Sequence, residues 1–336
     1  MNRESRIHVV LVNFNGGRTI LDCLWALRQQ THPHAVTVVD NASSDDSLRS
    51  IATEHPRTQM VPLRRNVGFA RAANIGALRS ESAEVLVLLN PDTIPQPDFL
   101  ERLVEPLSLD ARIGAVAGTL VFTTRPDIIA SAGIDVHRNG VAIDSRLGTP
   151  LAGFSGVHAV FGASGGAVAY RRAAFCDVGG FCEPFFLYLE DVDLAWRLRL
   201  RGWGVVVSAH AVATHDYSAS AVEGSALKRR LLARNRIWTL ARCLPQQLWI
   251  RDRLSIVVFD ATALAFAAFR RDKASLAGRM HGTVGLVSRL EERSRIQSSA
   301  SSEWQDLDRW VQPAISPLRL LQLRQTTARL SRSNTG

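Results

Sequence analysis

Four strand-like apolar runs, each closed by a polar turn, occupy the first ninety residues, and this alternation is what most restricts the fold. The run "IHVVLV" (7–12) ends in "NFNGG", after which Ile20, Leu21, Leu24 and Leu27 recur at the spacing of one helical face. A second strand, "AVTVVD" (35–40), is followed by Ser43 or Ser44 as the cap of a helix carrying Leu48 and Ile51, with Asp45 and Asp46 in its first turn. A third run around 60–63 leads through the turn residues Asn66 and Gly68 into an alanine-rich helix. "EVLVLLN" (84–90) is apolar on both faces, as a central parallel strand is. The alternation predicts an α/β fold: a mostly parallel, doubly wound sheet covered by helices, with ligands at the carboxyl ends of its strands.

Further along, 113–122 and 165–172 have strand character, 133–148 forms a polar hairpin or loop region, and 205–215 is a last strand ending at His215. Leu194, Leu198 and Arg201 follow helical spacing, so Asp191 opens a helix there. Beyond Ser225 the pattern turns helical with arginine on one side. "SSASSE" (298–303) reads as a flexible joint, and the polar tail from Arg324 is expected to fray. The 336 residues divide accordingly into an α/β domain (1–224) and a basic, mainly helical C-terminal region (225–336).

Charge divides at the same point. Residues 1–224 carry 20 Lys+Arg against 23 Asp+Glu, and 225–336 carry 20 against 8, so the net +9 resides in the tail. A basic tail behind a near-neutral body implies an anionic partner. The segment "LKRRLLARNRIW" (227–238) interleaves arginine with Leu231, Leu232, Ile237 and Trp238, as expected of a helix that lies on an anionic bilayer or packs on the body. Nucleic acid is disfavoured, since no RNP, zinc-finger or helix-turn-helix signature accompanies the charge. The four cysteines form no metal-finger spacing and read as reduced structural thiols. The run at 7–12 is too short for a secretory signal, and 254–269 is interrupted by Asp260 and shorter than the ~20 residues of a spanning helix. These features lead to the expectation of a cytoplasmic chain that does not cross a membrane.

Acidic residues collect at the strand ends and helix starts. Asp40 closes the second strand, Asn90 and Asp92 follow the fourth, and Glu190, Asp191 and Asp193 open the late helix. Such a set suits a nucleotide, a divalent cation and a carboxylate left over to act as a base. Asp193 and Arg197, four apart on one helical face, are expected to form an ion pair.

The ordered pieces "VNFNGG", "VVDNASSDDS", "NVGFARAANIG", "LLNPDT", "GGFCEPFFLYLEDVDLAWRLRLRGW" and "HDYSAS" resemble the family 2 glycosyltransferases of the GT-A fold, in particular a bacterial rhamnosyltransferase-like branch. The resemblance covers roughly 7–240. It implies that Asp40, beside Asn41, accepts from the N3–H of a pyrimidine base, and that Asn13, Asn15, Asn66, Gly68, Arg71, Asn74 and Asn90 line the nucleotide-sugar. It implies that Asp92, the last acid of a D-x-D motif whose first acid is replaced by Asn90, holds Mg²⁺ or Mn²⁺ with His215. Asp191 matches the family's base, Glu190 neighbours the sugar or acceptor, and Gly165 and Gly166 shape the acceptor edge.

The implied activity is inverting transfer of rhamnose, hexose or N-acetylhexosamine from a dTDP- or UDP-sugar. The implied acceptor is a glycan or a polyprenyl-diphosphate-linked chain in cell-surface polysaccharide synthesis, with peripheral contact at the inner face of the plasma membrane through the basic helices. A sugar-phosphate nucleotidyltransferase and a non-catalytic nucleotide-sugar-binding protein stay open as alternatives.

Overall fold

The structure is a computed structural model that describes residues 6–80, 82–216 and 225–331. The expected motif residues 217–220 lie outside these, and the expected domain boundary falls at the end of the same undescribed segment. The first half runs β1 (Ile7–Asn13), α1 (Gly17–Arg28), β2 (Ala35–Asp40), α2 (Ser47–Glu54), β3 (Gln59–Pro62), α3 (Phe69–Leu78), β4 (Val85–Leu89), β5 (Thr93–Pro95), α4 (Phe99–Leu109) and β6 (Ile113–Phe122). Then follow β7 (Arg125–Ser131), β8 (Ile134–His137), β9 (Ala142–Asp144), β10 (Val157–Ala159), β11 (Ala167–Arg171), α5 (Arg172–Asp177), a 3₁₀ turn at Glu183–Phe185, α6 (Glu190–Leu200) and β12 (Gly204–His215). The C-terminal region adds α7 (Ala226–Cys243), α8 (Gln246–Phe269), α9 (Lys273–Val284), α10 (Leu286–Ser298), α11 (Trp304–Asp308), β13 (Val311–Gln312) and α12 (Pro317–Leu330).

The main sheet has the order β10-β12-β6-β11-β4-β1-β2-β3, with β5 and β7 paired at its margin. Strands β3, β2, β1 and β4 are mutually parallel. Strand β11 is antiparallel to both β4 and β6, which returns β6 and β12 to the direction of β4. The doubly wound reading therefore holds, with one reversed strand in the middle. Alternate residues explain the two-sided core. Leu86 and Leu88 of β4 pack on one face with α3, and Val87 and Leu89 pack on the other with α1 and α4.

Three local expectations are corrected. Helix α2 starts at Ser47, because Ser43 and Ser44 are used to join two loops: Ser43 Oγ accepts from the Asn15 N–H, and the Ser44 N–H donates to Asn15 Oδ1. The serine-rich joint is tied down, with the Ser301 and Ser302 N–H groups both donating to the Leu200 carbonyl. The tail stays helical to Leu330, whose side chain packs against the core and whose carbonyl accepts from Thr124 Oγ1.

Helix α6 lies between two cores. Leu194 and Leu198 face the sheet, while Val192, Ala195 and Trp196 pack with Cys243, Leu244, Leu248 and Ile256 of the C-terminal helices. Asp193, fully buried, forms the expected pair with Arg197 (2.7 Å) and a further one with Arg242 of α7 (3.0 Å). Burial alone would raise this carboxyl, but the two guanidinium groups hold it below the usual range. Removing one member of a buried ion group leaves the rest uncompensated. Arg242→Ala should therefore lower stability by about 3 kcal/mol in urea unfolding, and a change too small to measure there would refute the coupling of α6 to α7.

Candidate functional site

The carboxyl edge of the parallel strands carries a hydrogen-bonded polar row. Asn13, at the end of β1, donates to Asp40 Oδ1 at the end of β2 (2.8 Å), and its own Oδ1 accepts from the Gly16 N–H (3.2 Å). Asp40 Oδ2 accepts from the Ser43 N–H (3.1 Å), so each oxygen of this buried carboxylate already has one donor and keeps capacity for a second. Asn41 donates to Asn66 Oδ1 (2.9 Å) and accepts from the Val67 N–H (2.8 Å), which fixes the turn before α3. Asn15 joins the two loops at the mouth of this edge.

Gly68 occupies φ +85°, and a Cβ there would lie 2.5 Å from both the Phe186 ring and the Phe186 carbonyl. The close approach expected at Gly68 is thus made by the protein's own loop. Arg71 and Asn74, expected beside the nucleotide, are likewise engaged elsewhere. Arg71 pairs with Glu183 at the surface (3.5 Å), and Asn74 bonds the Phe181 carbonyl (2.9 Å) and N–H (3.0 Å).

At the end of β4, Asp92 and His215 are both buried, with Asp92 Oδ1 3.1 Å from His215 Nε2. They meet because β12 pairs antiparallel with β5, setting His215 opposite Thr93. The Asn90 side chain approaches the same His215 nitrogen at 3.4 Å. Among the described residues no three His, Cys, Asp or Glu side chains form a metal cluster. One carboxylate and one imidazole suit a divalent cation that fills its remaining positions with water and phosphate oxygens.

Next to this pair a cavity of about 250 Å³ is lined by Asn90, Asp144, Gly165, Gly166, Glu190 and Asp191, with Phe69, Tyr188 and Leu232 among its apolar walls. Asp191 Oδ2 accepts from the Gly165 N–H (3.0 Å) and Oδ1 from the Val192 N–H (2.8 Å), which aims the carboxylate. Gly165 contributes through that N–H, since a Cβ there would meet only ordinary contacts; at Gly166 a Cβ would sit 3.2 Å from Leu120. Burial pushes the Asp191 carboxyl up against the opposing effect of these N–H donors. Glu190 is pushed further up, by burial first and then by the neighbouring Asp191 charge, and its Oε2 has no hydrogen-bond partner among the described residues. Both acids are thus raised, Glu190 further than Asp191, whose carboxylate keeps the two N–H donors.

A strained loop delivers these acids. Phe186, Tyr188 and Leu189 all have φ between 63° and 68°, a costly conformation for large side chains. Asn235 of α7 compensates by sharing its amide hydrogens among the carbonyls of Phe185 (3.0 Å), Leu187 (3.0 Å) and Tyr188 (2.7 Å). Arg234 also donates to Phe185 (2.7 Å). Neither Asn235 nor Asp144 was found by sequence reasoning. Asn235 lies inside a run dominated by arginine, and Asp144 reaches the cavity from a short hairpin strand that carries no motif. The Asp144 carboxyl is pushed up to about 6, mainly by burial, with Asp191 adding to the rise.

Asn90 and Asp191 therefore line one cavity, Asp92 and His215 adjoin it through Asn90, and Asp40 lies two strands along the same edge. Asn13, Asn15, Asp40, Arg71 and Asn74 do not line it.

Residues 8–179, more than half of the chain, match the family model "Glycosyl transferase family 2". The N-acetylglucosaminyl-diphospho-decaprenol L-rhamnosyltransferase of Mycobacterium tuberculosis is 28% identical over 63% of this chain and 76% of that protein. The poly-beta-1,6-N-acetyl-D-glucosamine synthase of Staphylococcus aureus is 27% identical over 59% of this chain, which spans only 47% of that protein. Among solved structures, S. aureus TarS in complex with UDP-GlcNAc aligns at TM-score 0.55 with 14% identity, over 96% of this chain and 91% of that one. A mannosyltransferase of Pyrobaculum calidifontis in complex with GDP-Man and Mn²⁺ aligns at 0.52 with 20% identity, over 89% and 86%. At these identities the structural likeness establishes the fold, a GT-A arrangement, and nothing finer.

The burial of Glu190 makes a prediction independent of any substrate. Infrared difference spectra at neutral pH should contain a protonated-carboxyl band that is lost in Glu190→Gln and retained in Asp191→Asn. A spectrum without that band would overturn the division of the two acids.

Proposed function

The chain belongs to glycosyl transferase family 2, and on that premise we propose that it transfers rhamnose, a hexose or an N-acetylhexosamine, with inversion, from a dTDP- or UDP-sugar to a glycan or polyprenyl-diphosphate-linked acceptor. The observation that carries this reading is the aimed carboxylate of Asp191 in a cavity whose floor, Asn90, adjoins Asp92 and His215. The family match favours sugar transfer over nucleotidyl transfer or simple binding.

In the proposed reaction the acceptor hydroxyl enters the cavity and its oxygen bonds to the anomeric carbon. The bond from that carbon to the diphosphate breaks, its electron pair leaves with the diphosphate, and the hydroxyl proton passes to Asp191. Glu190, kept neutral, leaves the negative charge on Asp191 and can donate a hydrogen bond to a sugar oxygen. The N–H groups of Gly165 and Val192, together with the place of Asp191 in the first turn of α6, favour its ionised form. Asp40 would accept from the N3–H of the pyrimidine with its remaining acceptor capacity, and Asn41 and Asn66 would hold the adjoining turn. Asp92 and His215 would hold Mg²⁺ or Mn²⁺, which when bound offsets charge on the diphosphate. The similarity to a transferase whose name specifies a decaprenol-linked acceptor supports a lipid-linked substrate in cell-surface polysaccharide synthesis, at the cytoplasmic face of a membrane.

Asp191→Asn should lower kcat by about 10²- to 10⁴-fold with little change in donor KM; turnover at the wild-type rate would exclude Asp191 as the base. Only the ionised carboxylate accepts a proton, and burial raises its pKa. Activity should therefore fall with decreasing pH through a midpoint above the ordinary Asp value of about 3.9. Asp92→Ala should abolish stimulation by divalent cations, and unchanged metal-dependent turnover in that variant would remove it from the cation site.

A further inference from the structure

Helix α8 turns its two carboxylates inward and a row of apolar side chains outward. Asp252 is buried and paired with Arg251, while Asp260 accepts from Arg236 of α7 (2.6 Å) and Arg279 of α9 (2.7 Å). Ile256 and Ala267 are buried on the same side. On the opposite side Ile250, Leu254, Val257, Val258, Leu264 and Phe269 are exposed, Leu254 by 73% and Phe269 by 84%. Their spacing, i, i+4, i+7, i+8, i+14 and i+19, places them on one broad face of the helix. That face is about 28 Å long at 1.5 Å per residue, longer than the scattered apolar exposure of an ordinary surface.

The margins of this face decide what covers it. Arg253, Arg270, Arg271 and Lys273 are exposed around it, whereas Asp252 is buried and the half-buried Asp260 is taken up by Arg236 and Arg279. A second copy of the chain would bring cations of the same sign to both margins with no carboxylate to meet them. An anionic lipid surface offers the opposite arrangement, an apolar interior framed by negative headgroups. No helix of the described residues is long and apolar enough to cross a membrane, so α8 would lie in the plane of the interface.

We infer that the outer face of α8 docks on an anionic membrane surface, its apolar stripe entering the acyl boundary and its flanking arginines meeting the headgroups. This relocates membrane contact from the 227–238 segment. In α7, Arg234 holds the strained loop, Arg236 pairs with Asp260, and Arg242 pairs with Asp193. The helix is thus committed to packing. Leu232 of α7 lines the acceptor cavity and Arg236, one turn on, grips the middle of α8, so the lipid contact and the cavity share one rigid element. The contact itself does not depend on the donor or acceptor assignment.

The test is co-sedimentation of the full chain with phosphatidylglycerol-rich vesicles and with pure phosphatidylcholine vesicles, without substrates. Binding to the anionic vesicles should exceed binding to the neutral ones by about ten-fold or more and weaken with added salt. The variant Leu254→Ser/Val258→Ser/Phe269→Ser and the variant Arg253→Gln/Arg270→Gln/Arg271→Gln should each lose about ten-fold or more in affinity. Both should keep wild-type turnover of a water-soluble acceptor, and the single exposed substitution Phe269→Ser should reproduce part of the loss. Absence of wild-type binding, or equal binding by the apolar variant, would overturn the inference. So would a solution dimer that the apolar variant converts to monomer, since a second copy would then cover the face. Loss of transfer with vesicle binding intact would instead count against the proposed function alone.

Discussion

A buried carboxylate, Asp193, ties α6 to α7 alongside the apolar contacts that join α6 to the C-terminal helices. It lies in the first turn of α6 with no exposure to solvent, between Arg197 of its own helix and Arg242 of α7. A buried ionic group adds little net stability compared with an apolar filling, but it permits very few arrangements of the elements that supply its partners. Here it determines how α7 sits along α6. That seating carries Asn235 and Arg234 to the carbonyls of the 185–188 loop, where left-handed backbone would otherwise be too costly to maintain. The loop in turn sets the direction in which Glu190 and Asp191 enter the cavity.

The electrostatics of the cavity follow from that geometry. Two carboxyl groups on consecutive residues, both out of water, cannot both ionise at modest cost. Asp191 receives two backbone N–H donors and the positive end of α6, while Glu190 Oε2 receives no donor from the described residues. Glu190 is accordingly raised further than Asp191. Across the cavity, Asn90 stands where a second acid of a D-x-D pattern would have added another negative charge. Asp92 and His215 are left as a compact two-donor set, suited to a cation whose other ligands come from substrate and water.

The C-terminal region also changes the meaning of the basic charge seen in the sequence. Several of its arginines are internal fasteners: Arg236 and Arg279 on Asp260, Arg242 on Asp193 and Glu292, Arg251 on Asp252 and Asp308. Once these are accounted for, the outward face of α8 stands out as an apolar surface with cations at its margins. Of the two expectations for the 227–238 segment, packing on the body is the one that the contacts of α7 match, and the inferred lipid contact belongs to the neighbouring helix.

The sequence by itself determined the alternation of strands and helices from β1 to β4 and the later elements β6, β11, α6 and β12, though not α4, β5, β7 or β10, because apolar periodicity of two or of 3.6 residues is a local property that survives without neighbours. It also determined that Asp40, Asn90 and Asp92 share the carboxyl edge of the sheet, and that Asp193 pairs with Arg197, since both follow from strand ends and helical spacing. The meeting of Asp92 with His215, implied beforehand by the family resemblance alone, is made by β12 pairing with β5, and only the tertiary structure decided that Asn74 and Arg71 serve the 181–183 segment and that Asn235 and Asp144 belong to the site at all. These contacts join residues tens to more than a hundred positions apart. Strand order and helix seating govern them, and no local pattern encodes either.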